Sequence, residues 1–402
     1  MNIALIGAGM GSAGTMTLEA HEALSKADAV IGAGRLLSAL PDGIRAEKFP
    51  QALPEKIADI VREHPEWQNA CVALSGDVGF YSGARRLLEL LKTHQTLLFP
   101  GISTPQYFAA RLRRPWQDFR LVSAHGLHQD ILAEALNHPT VFFLTDNQTT
   151  PSRIAETLSE AGLADARMTV GENLSSADER IVEGTAGELA LGGEFSPLCA
   201  VLVDNDKTFT RGAASPGIAD DDFIRGNAPM TKREIRVQAL SLLALRPEDT
   251  AYDVGAGTGS VAVEMALLTR RGRVYAVEND PDAFGLLQKN REKFGVYNLC
   301  PVPGTAPEAL ETLPPPAAVF IGGSKGRMRG IIEAALSKNP RVRVVASAVA
   351  LETLTAAMTA MQDLSLANVE AVQIAANRTV LRGGYHMLEA RNPVFLISGG
   401  GE

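Results

Sequence analysis

A chain of 402 residues, 46% hydrophobic and 21% charged, is too long for one ordinary core and too apolar for a disordered polymer, so two or three globular domains are expected. The formal net charge of −8 argues against general nucleic-acid binding, whose affinity comes largely from neutralised phosphates, but leaves room for a local basic pocket facing a small anion. Cys71, Cys199 and Cys300 are widely spaced and match neither metal-ligand nor redox patterns, so reduced thiols in a cytoplasmic protein, and no metal site, are expected.

The chain opens on a strand-like run, "NIALIG", with no basic segment before it. Nowhere are there about 18 consecutive apolar residues, so neither export nor a membrane span is expected. Strands follow at "DAVIGA", "ACVALSG", "TLLFPG", "FRLVSAH" and "TVFFLTD", then at "RMTVGEN" and "LCAVLVDN", with amphipathic segments such as "EKIADIVREH" between the earlier ones. This alternation predicts α/β architecture with parallel sheets covered by helices.

Within the first run, Gly9 to Gly14 fits G-x-G-x-x-G literally. Counted from the strand end, however, Gly7 and Gly9 lead, and Ser12 falls where the third glycine belongs. The next strand also lacks a terminal acid for a ribose diol, Asp28 standing at its start. A nicotinamide site is therefore the poorer reading. Further on, "SGD" puts Gly76 and Asp77 at the carboxyl edge of a strand, where α/β proteins bind ligands; Asp77 could equally cap the helix that follows. Ser103 and Thr104 in "PGISTPQ" read as a helix cap, a cofactor contact, or both.

The apolar pattern then stops. Residues 209–229 are rich in Gly, Ala, Ser, Asp and Pro, a linker composition, and divide the chain into a domain of residues 1–208 and another of residues 230–402. The second half begins with a helix, "TKREIRVQALSLLAL", and continues strand, helix, strand, helix through "TAYDVGAG", "SVAVEMALLTR", "RVYAVEND" and "AFGLLQKNREKF". Later strands are predicted at "AAVFIGG", "RVRVVASAV" and "PVFLISG". Gly255, Ala256, Gly257, Thr258 and Gly259 form a loop between strand and helix, where glycines let the backbone turn and a ligand approach. Asp253 precedes the loop. Glu278 ends the next strand, one βαβ unit on, where an acid accepts hydrogen bonds from a ribose diol.

With its D-x-G-x-G-x-G spacing, this half resembles class I S-adenosylmethionine methyltransferases. Four words in order, "GIADDDFIRGNAPMTKREIR", "YDVGAGTGSV", "GTAPEAL" and "AVFIGGSKG", resemble the decarboxylating precorrin methyltransferases of cobalamin biosynthesis. The resemblance implies that Thr231, the 255–259 loop, Glu278 and Ala306 line an S-adenosylmethionine site in a Rossmann-like fold. The first half is similar to the tetrapyrrole methylases through "DAVIGAGRLL", "SGDVGFYSGARRLL", "FPGISTPQYFAARLRRPWQD", "SAHG", "FFLTDN" and "DERIVEGT". That family has two α/β lobes with the cofactor between them. The likeness implies contacts from Gly7, Gly9, Gly76, Asp77, Ser103 and Thr104, although Met10 and Ser12 stand where the family's G-x-G-P-G-D opening has proline and aspartate.

Taken together, the resemblances imply one S-adenosylmethionine site per domain and a precorrin partner, methylated at C5 by the first half and at C15 by the second. Loss of the C12 acetate carboxyl is also implied, converting precorrin-6B to precorrin-8X. Methyl transfer from a sulfonium needs alignment and exclusion of water more than a nucleophile or metal. Decarboxylation calls for a proton donor, for which Asp253, Glu264 and Tyr252 are candidates. The carboxylates of a precorrin call for cations, and Arg114, Lys325 and Arg327, with His125 lining a cleft, are the candidates for substrate contact, each of the cations being also a possible solvated surface charge. A homo-oligomer without nucleic-acid or membrane partners is expected. An RNA methyltransferase with an N-terminal binding module is the main alternative, disfavoured by the lack of a basic, aromatic-rich stripe.

Overall fold

The structure, a computed structural model, describes residues 1–124, 129–209 and 215–401. Two compact units emerge, one of residues 1–129, 140–159 and 164–204, the other of residues 130–139, 160–163 and 205–402.

The first unit holds two sheets. Strands β1 (Asn2–Gly7), β2 (Ala29–Gly32), β3 (Glu47–Pro50), β4 (Asn69–Leu74) and β5 (Gln95–Phe99) form a parallel sheet in the order β3-β2-β4-β1-β5. Central β1 is buried from Ile3 to Gly7, which explains why it reads as a continuous apolar run: helices cover both faces. On one face Ile3, Leu5 and Val72 pack with Ile57 and Val61 of the helix Pro54–Glu63; on the other, Ile6 and Val30 pack with Leu24 and Leu36.

The second sheet corrects the expectation of parallel pairing. Strands β6 (Arg120–Ser123), β7 (Thr140–Leu144), β8 (Arg167–Glu172), β9 (Arg180–Thr185) and β10 (Cys199–Asp204) take the order β6-β7-β10-β8-β9, in which only β6 and β7 run parallel. For the β8–β9 pair the physical reason is local. Only a short turn joins β8 to β9, and a parallel pair needs a crossover of a dozen or more residues.

The second unit carries one seven-stranded sheet, from β11 (Thr250–Val254), β12 (Arg273–Glu278), β13 (Leu299–Pro303), β14 (Ala318–Ile321), β15 (Arg343–Ala348), β16 (Glu370–Ile374) and a last strand Val394–Gly400. A separate hairpin, β17 (Arg378–Arg382) and β18 (Tyr385–Glu389), precedes that last strand, β19. The order is β13-β12-β11-β14-β15-β19-β16, parallel except where β19 runs against both neighbours. From β11 the chain builds outward to β13, then returns to β14 on the other side of β11. That reversal opens a crevice at the carboxyl ends of β11 and β14, the usual ligand position in an open α/β sheet. Helix Ser260–Leu268 is buried almost all round, in keeping with its lack of a polar face.

Strands β3, β9, β13 and β16 of the three larger sheets were not expected from the sequence, nor was the β17–β18 hairpin. Three of them, β3, β9 and β16, are edge strands with largely exposed or half-buried side chains, so period-2 burial never imprints on them. The fourth, β13, begins the word "LCPVP", whose two prolines read as a break; it too is an edge, where missing N–H groups are tolerated. No helix of the described residues is long and apolar enough to cross a membrane.

Candidate active site

In the second unit a cleft of about 490 Å³ opens over the carboxyl ends of β11, β12 and β14. Its floor is the glycine loop. Gly255 has φ 72°, and a Cβ there would lie 2.7 Å from the Gly323 nitrogen, so the loops after β11 and β14 touch backbone to backbone. Gly257 has φ 56°, and its Cβ would meet the Pro229 carbonyl at 2.9 Å. One wall is the segment Asn227–Pro229 with Thr231; the other comprises Gly304 to Ala306 and Ser324 with Lys325.

Glu278 ends β12 inside this cleft and is buried. Its Oε2 accepts from the Gly257 N–H at 2.8 Å, and Oε1 accepts from those of Asn279 (2.8 Å) and Asp280 (2.9 Å). Three of a carboxylate's roughly four acceptor positions are thus taken, fixing its orientation and leaving capacity for a ligand hydroxyl. Lys325 donates from Nζ to Asn279 Oδ1 at 2.9 Å and has further donor positions.

The remaining expectations divide. Gly255, Ala256, Gly257, Thr231, Glu278, Ala306 and Lys325 come together around the cleft. Thr258 and Gly259 do not line it: Thr258 is wholly buried and Gly259 starts the helix beneath, where a Cβ would strike Leu287 Cδ1 at 2.4 Å. Arg327 is spent in a fork with Glu308 and a bond to the Ala306 carbonyl, supporting the wall without facing the cavity.

Glu264 does not fit a proton donor. Its Oε2 accepts from the Gly217 N–H at 2.6 Å, and its Oε1 from Ile218 at 3.2 Å and from Arg236 Nε at 2.8 Å, all in the interior. Tyr252 is likewise a core residue, its hydroxyl donating to the Pro314 carbonyl.

Asp253 is 1% exposed beneath the loop, and neither oxygen has a hydrogen-bond partner among the described residues. Burial pushes its carboxyl up to about 7, and the nearby Glu278 charge adds to the rise. The Ala262 amide pulls the other way, without a bond of good geometry. The folded-state value therefore lies above the unfolded one of about 4. Between those two pH values the folded unit keeps a proton that the unfolded chain has released, so stability falls as pH rises from about 4 to about 7 and levels off above. Asp253→Asn will flatten this slope, which urea titrations at pH 5 and pH 8 will show.

The first unit has a narrower cleft, about 170 Å³, between its two sheets. Gly76, Thr104 and Met10 line it, facing Leu144, Gly171 and Leu198. Gly7 and Gly9 lie behind that surface. Gly9 and Gly76 exchange backbone hydrogen bonds (3.2 and 2.7 Å), and a Cβ on Gly7 would lie 2.7 Å from the Gly101 nitrogen. Asp77 is turned onto its own loops, Oδ1 accepting from Gly101 N–H at 3.0 Å and Oδ2 from Gly79 N–H at 2.8 Å. Ser103 is buried as a helix cap with Gln106, so the two readings of that pair separate: Ser103 caps, Thr104 faces the cleft. Arg114 forms a two-pronged pair with Asp204 at 2.6 and 2.9 Å, away from the cleft. His125 lies outside the described residues.

Ser12, standing where the family likeness has aspartate, hydrogen-bonds Ser175 Oγ at 2.6 Å and so joins the two sheets' loops across the cleft. Among the lining residues, Arg35, Phe80, Tyr81, Asn227 and Thr305 were not foreseen. Their signal lay inside the quoted words, in "GRLL", "GFYSG", "GNAP" and "GTAP", but which way each side chain turns is set by the fold.

Two family descriptions match the chain in sequence: the tetrapyrrole (corrin/porphyrin) methylases over residues 2–190 and the precorrin methyltransferase domain over residues 222–398. The precorrin-6Y C(5,15)-methyltransferase (decarboxylating) of Sinorhizobium sp is 32% identical over 357 residues, 86% of this chain and 84% of that protein. The chain belongs to the precorrin-6Y C(5,15)-methyltransferase family. This is a family of methyltransferases of cobalamin biosynthesis. A relative named as a probable cobalt-precorrin-6B C(15)-methyltransferase (decarboxylating), from Pyrobaculum calidifontis, is 44% identical over 188 residues, 46% of this chain and 96% of its own. The crystal structure of a precorrin-6y C5,15-methyltransferase from Geobacter metallireducens GS-15 is 37% identical and covers 46% of this chain and 97% of its own, with a TM-score of 0.44.

Proposed function

We propose that the chain holds two methyl-transfer centres acting on one precorrin. The first unit methylates C5; the second methylates C15 and releases the C12 acetate carboxyl as CO2, turning precorrin-6B into precorrin-8X. The observation that carries this is a pair of clefts on two differently wound sheets, each within a region similar to a different methylase family.

S-adenosylmethionine, when bound, supplies an electrophilic methyl on a sulfonium. The second cleft suits it on this structure's own features. Its 490 Å³ falls within the range of about 300–1,000 Å³ usual for small-molecule sites. Gly255 and Gly257 let the loops that floor the cleft pack backbone to backbone against Gly323 and Pro229, and Glu278 offers an oriented acceptor to a ribose diol. The chain's work is to hold the donor in line with the acceptor carbon and to exclude water. Lys325, at the rim, suits a substrate carboxylate. At about 170 Å³ the first cleft is smaller than that range.

Calorimetric titration with S-adenosylhomocysteine will count two sites per chain. Incubation with precorrin-6B will add two methyl masses and remove one CO2; an unchanged substrate mass with active cofactor would sink the proposal. A cytoplasmic homo-oligomer completes it, supported by three free cysteines and by the exposed Leu381, Tyr385, Met387 and Leu388 of the β17–β18 hairpin, and light scattering will report its mass.

A further inference from the structure

The mouth of the first cleft carries a cation and an aromatic ring to which no role has been given. Arg35, in the short helix Gly34–Ser38 after β2, lines the cleft beside Ser75, Tyr81 and Thr104. Its guanidinium donates from Nη2 to the neutral Ser75 Oγ at 3.0 Å, and among the described residues it meets no carboxylate. Elsewhere in the same unit Arg111, Arg114 and Arg180 are each paired with one. One side of Arg35 is open to solvent while the cleft wall dries the other, and that partial burial draws its pKa below the ordinary arginine value. A cation so placed gains from an incoming carboxylate, which the guanidinium fork can grip in two prongs.

Tyr81 is unusual in its backbone. Its φ of 47° lies in the left-handed region, uncommon and costly for a bulky residue. The loop holds it there through Asp77, whose carboxylate and carbonyl accept from the amides of Gly79 and Phe80. The outcome is a ring 55% exposed at the cleft mouth, set edge-on to Phe80 with centroids 4.9 Å apart. Its hydroxyl has no hydrogen bond among the described residues. Across the mouth, on the other sheet's side, Leu198 is 50% exposed. Strain that holds an aromatic face in water beside an unneutralised cation makes a place for a flat, apolar, carboxylate-bearing molecule.

We propose that Arg35 and Tyr81 form the macrocycle seat of the first cleft, Arg35 gripping a peripheral carboxylate and the Tyr81 ring carrying the face of the conjugated system. The inference deepens the methyl-transfer function proposed for this unit and rests on it. A carboxylate also ends the amino-acid tail of the cofactor, so the test separates the two sources.

The experiment uses the full chain and an octacarboxylate porphyrin as probe, followed by quenching of its fluorescence, with calorimetric titration of S-adenosylhomocysteine alongside. Arg35→Gln is expected to weaken one phase of porphyrin binding about tenfold, and Arg35→Lys to restore part of the loss. Tyr81→Ala should weaken the same phase severalfold, whereas Tyr81→Phe, which keeps the ring, should match the native chain. Homocysteine-cofactor affinity stays unchanged in all four. Equal porphyrin binding by native and Arg35→Gln chains would overturn the seat while leaving the function intact. A fall in cofactor affinity with porphyrin binding unaltered would also overturn it, assigning Arg35 to the cofactor's carboxylate. A native chain that neither binds the porphyrin nor methylates precorrin-6B would overturn the seat and the function together.

Discussion

Arg236→Met will destabilise the second unit by about 3–5 kcal/mol, because it removes the buried cation that bridges two carboxylates and two carbonyls. Arg236 is 0% exposed. Its Nε donates to Glu264 at 2.8 Å and its Nη1 to Asp220 at 2.9 Å and to the Thr231 carbonyl at 2.6 Å, while Nη2 reaches the Ile218 carbonyl. The guanidinium also lies 4.8 Å from the Phe223 ring centroid. Taking it away strips Glu264 of its cation and leaves Asp220 with only the more distant Arg378, 3.5 Å away, the costly half of a buried pair. Segment 217–231 would lose one of its anchors too, loosening the Asn227–Thr231 wall of the second cleft. The effect can be located spectroscopically. Both tryptophans, Trp67 and Trp116, lie in the first unit. Helical circular dichroism should therefore melt at lower urea while tryptophan fluorescence keeps its native midpoint; coincident native transitions would refute the anchor.

Gly255→Val will abolish cofactor binding in the second cleft and leave the first intact. Two costs combine. A φ of 72° is poorly tolerated by a β-branched residue, and the new Cβ would sit 2.7 Å from both the Gly323 nitrogen and its carbonyl oxygen. Backbone on backbone cannot yield as a side chain does, so the loops after β11 and β14 must separate, spoiling the floor of the cleft. A displacement of about 1 Å costs a positioned reaction about 100-fold or more. Gly326 supplies the control. It has a similar φ of 80° but nothing within 4 Å of its would-be Cβ, so Gly326→Ala should bear only a modest backbone cost. In calorimetry Gly255→Val should show one site where the native chain shows two, and Gly326→Ala should retain both. Two full sites in the valine variant would show that the glycine loop is not the cradle.

Much of the second cleft was legible because its chemistry is local. Gly255, Gly257 and Glu278 sit at fixed offsets from strand ends, and a βαβ unit converts those offsets into positions at one sheet edge. Charged residues were legible as residues but not as roles. Glu264 and Arg327 look identical in sequence whether they face a ligand or a neighbour; Arg236 and Glu308, 28 and 19 positions away, decided the matter. Arg114 was claimed in the same way by Asp204, 90 positions on. Arg35 was hidden for the opposite reason, since nothing local marks a cation that finds no carboxylate.

The sequence by itself determined the α/β class, most of the interior strands and the glycine turn beneath Glu278, since apolar period and backbone permissiveness are properties of short segments. Only the tertiary structure decided that the second sheet is mainly antiparallel, that Gly7, Gly9 and Asp77 knit loops instead of lining the first cleft, and that Glu264 is an anchor. Each of those outcomes turns on a partner distant in the chain, and which buried polar group finds which partner is settled only when the elements pack.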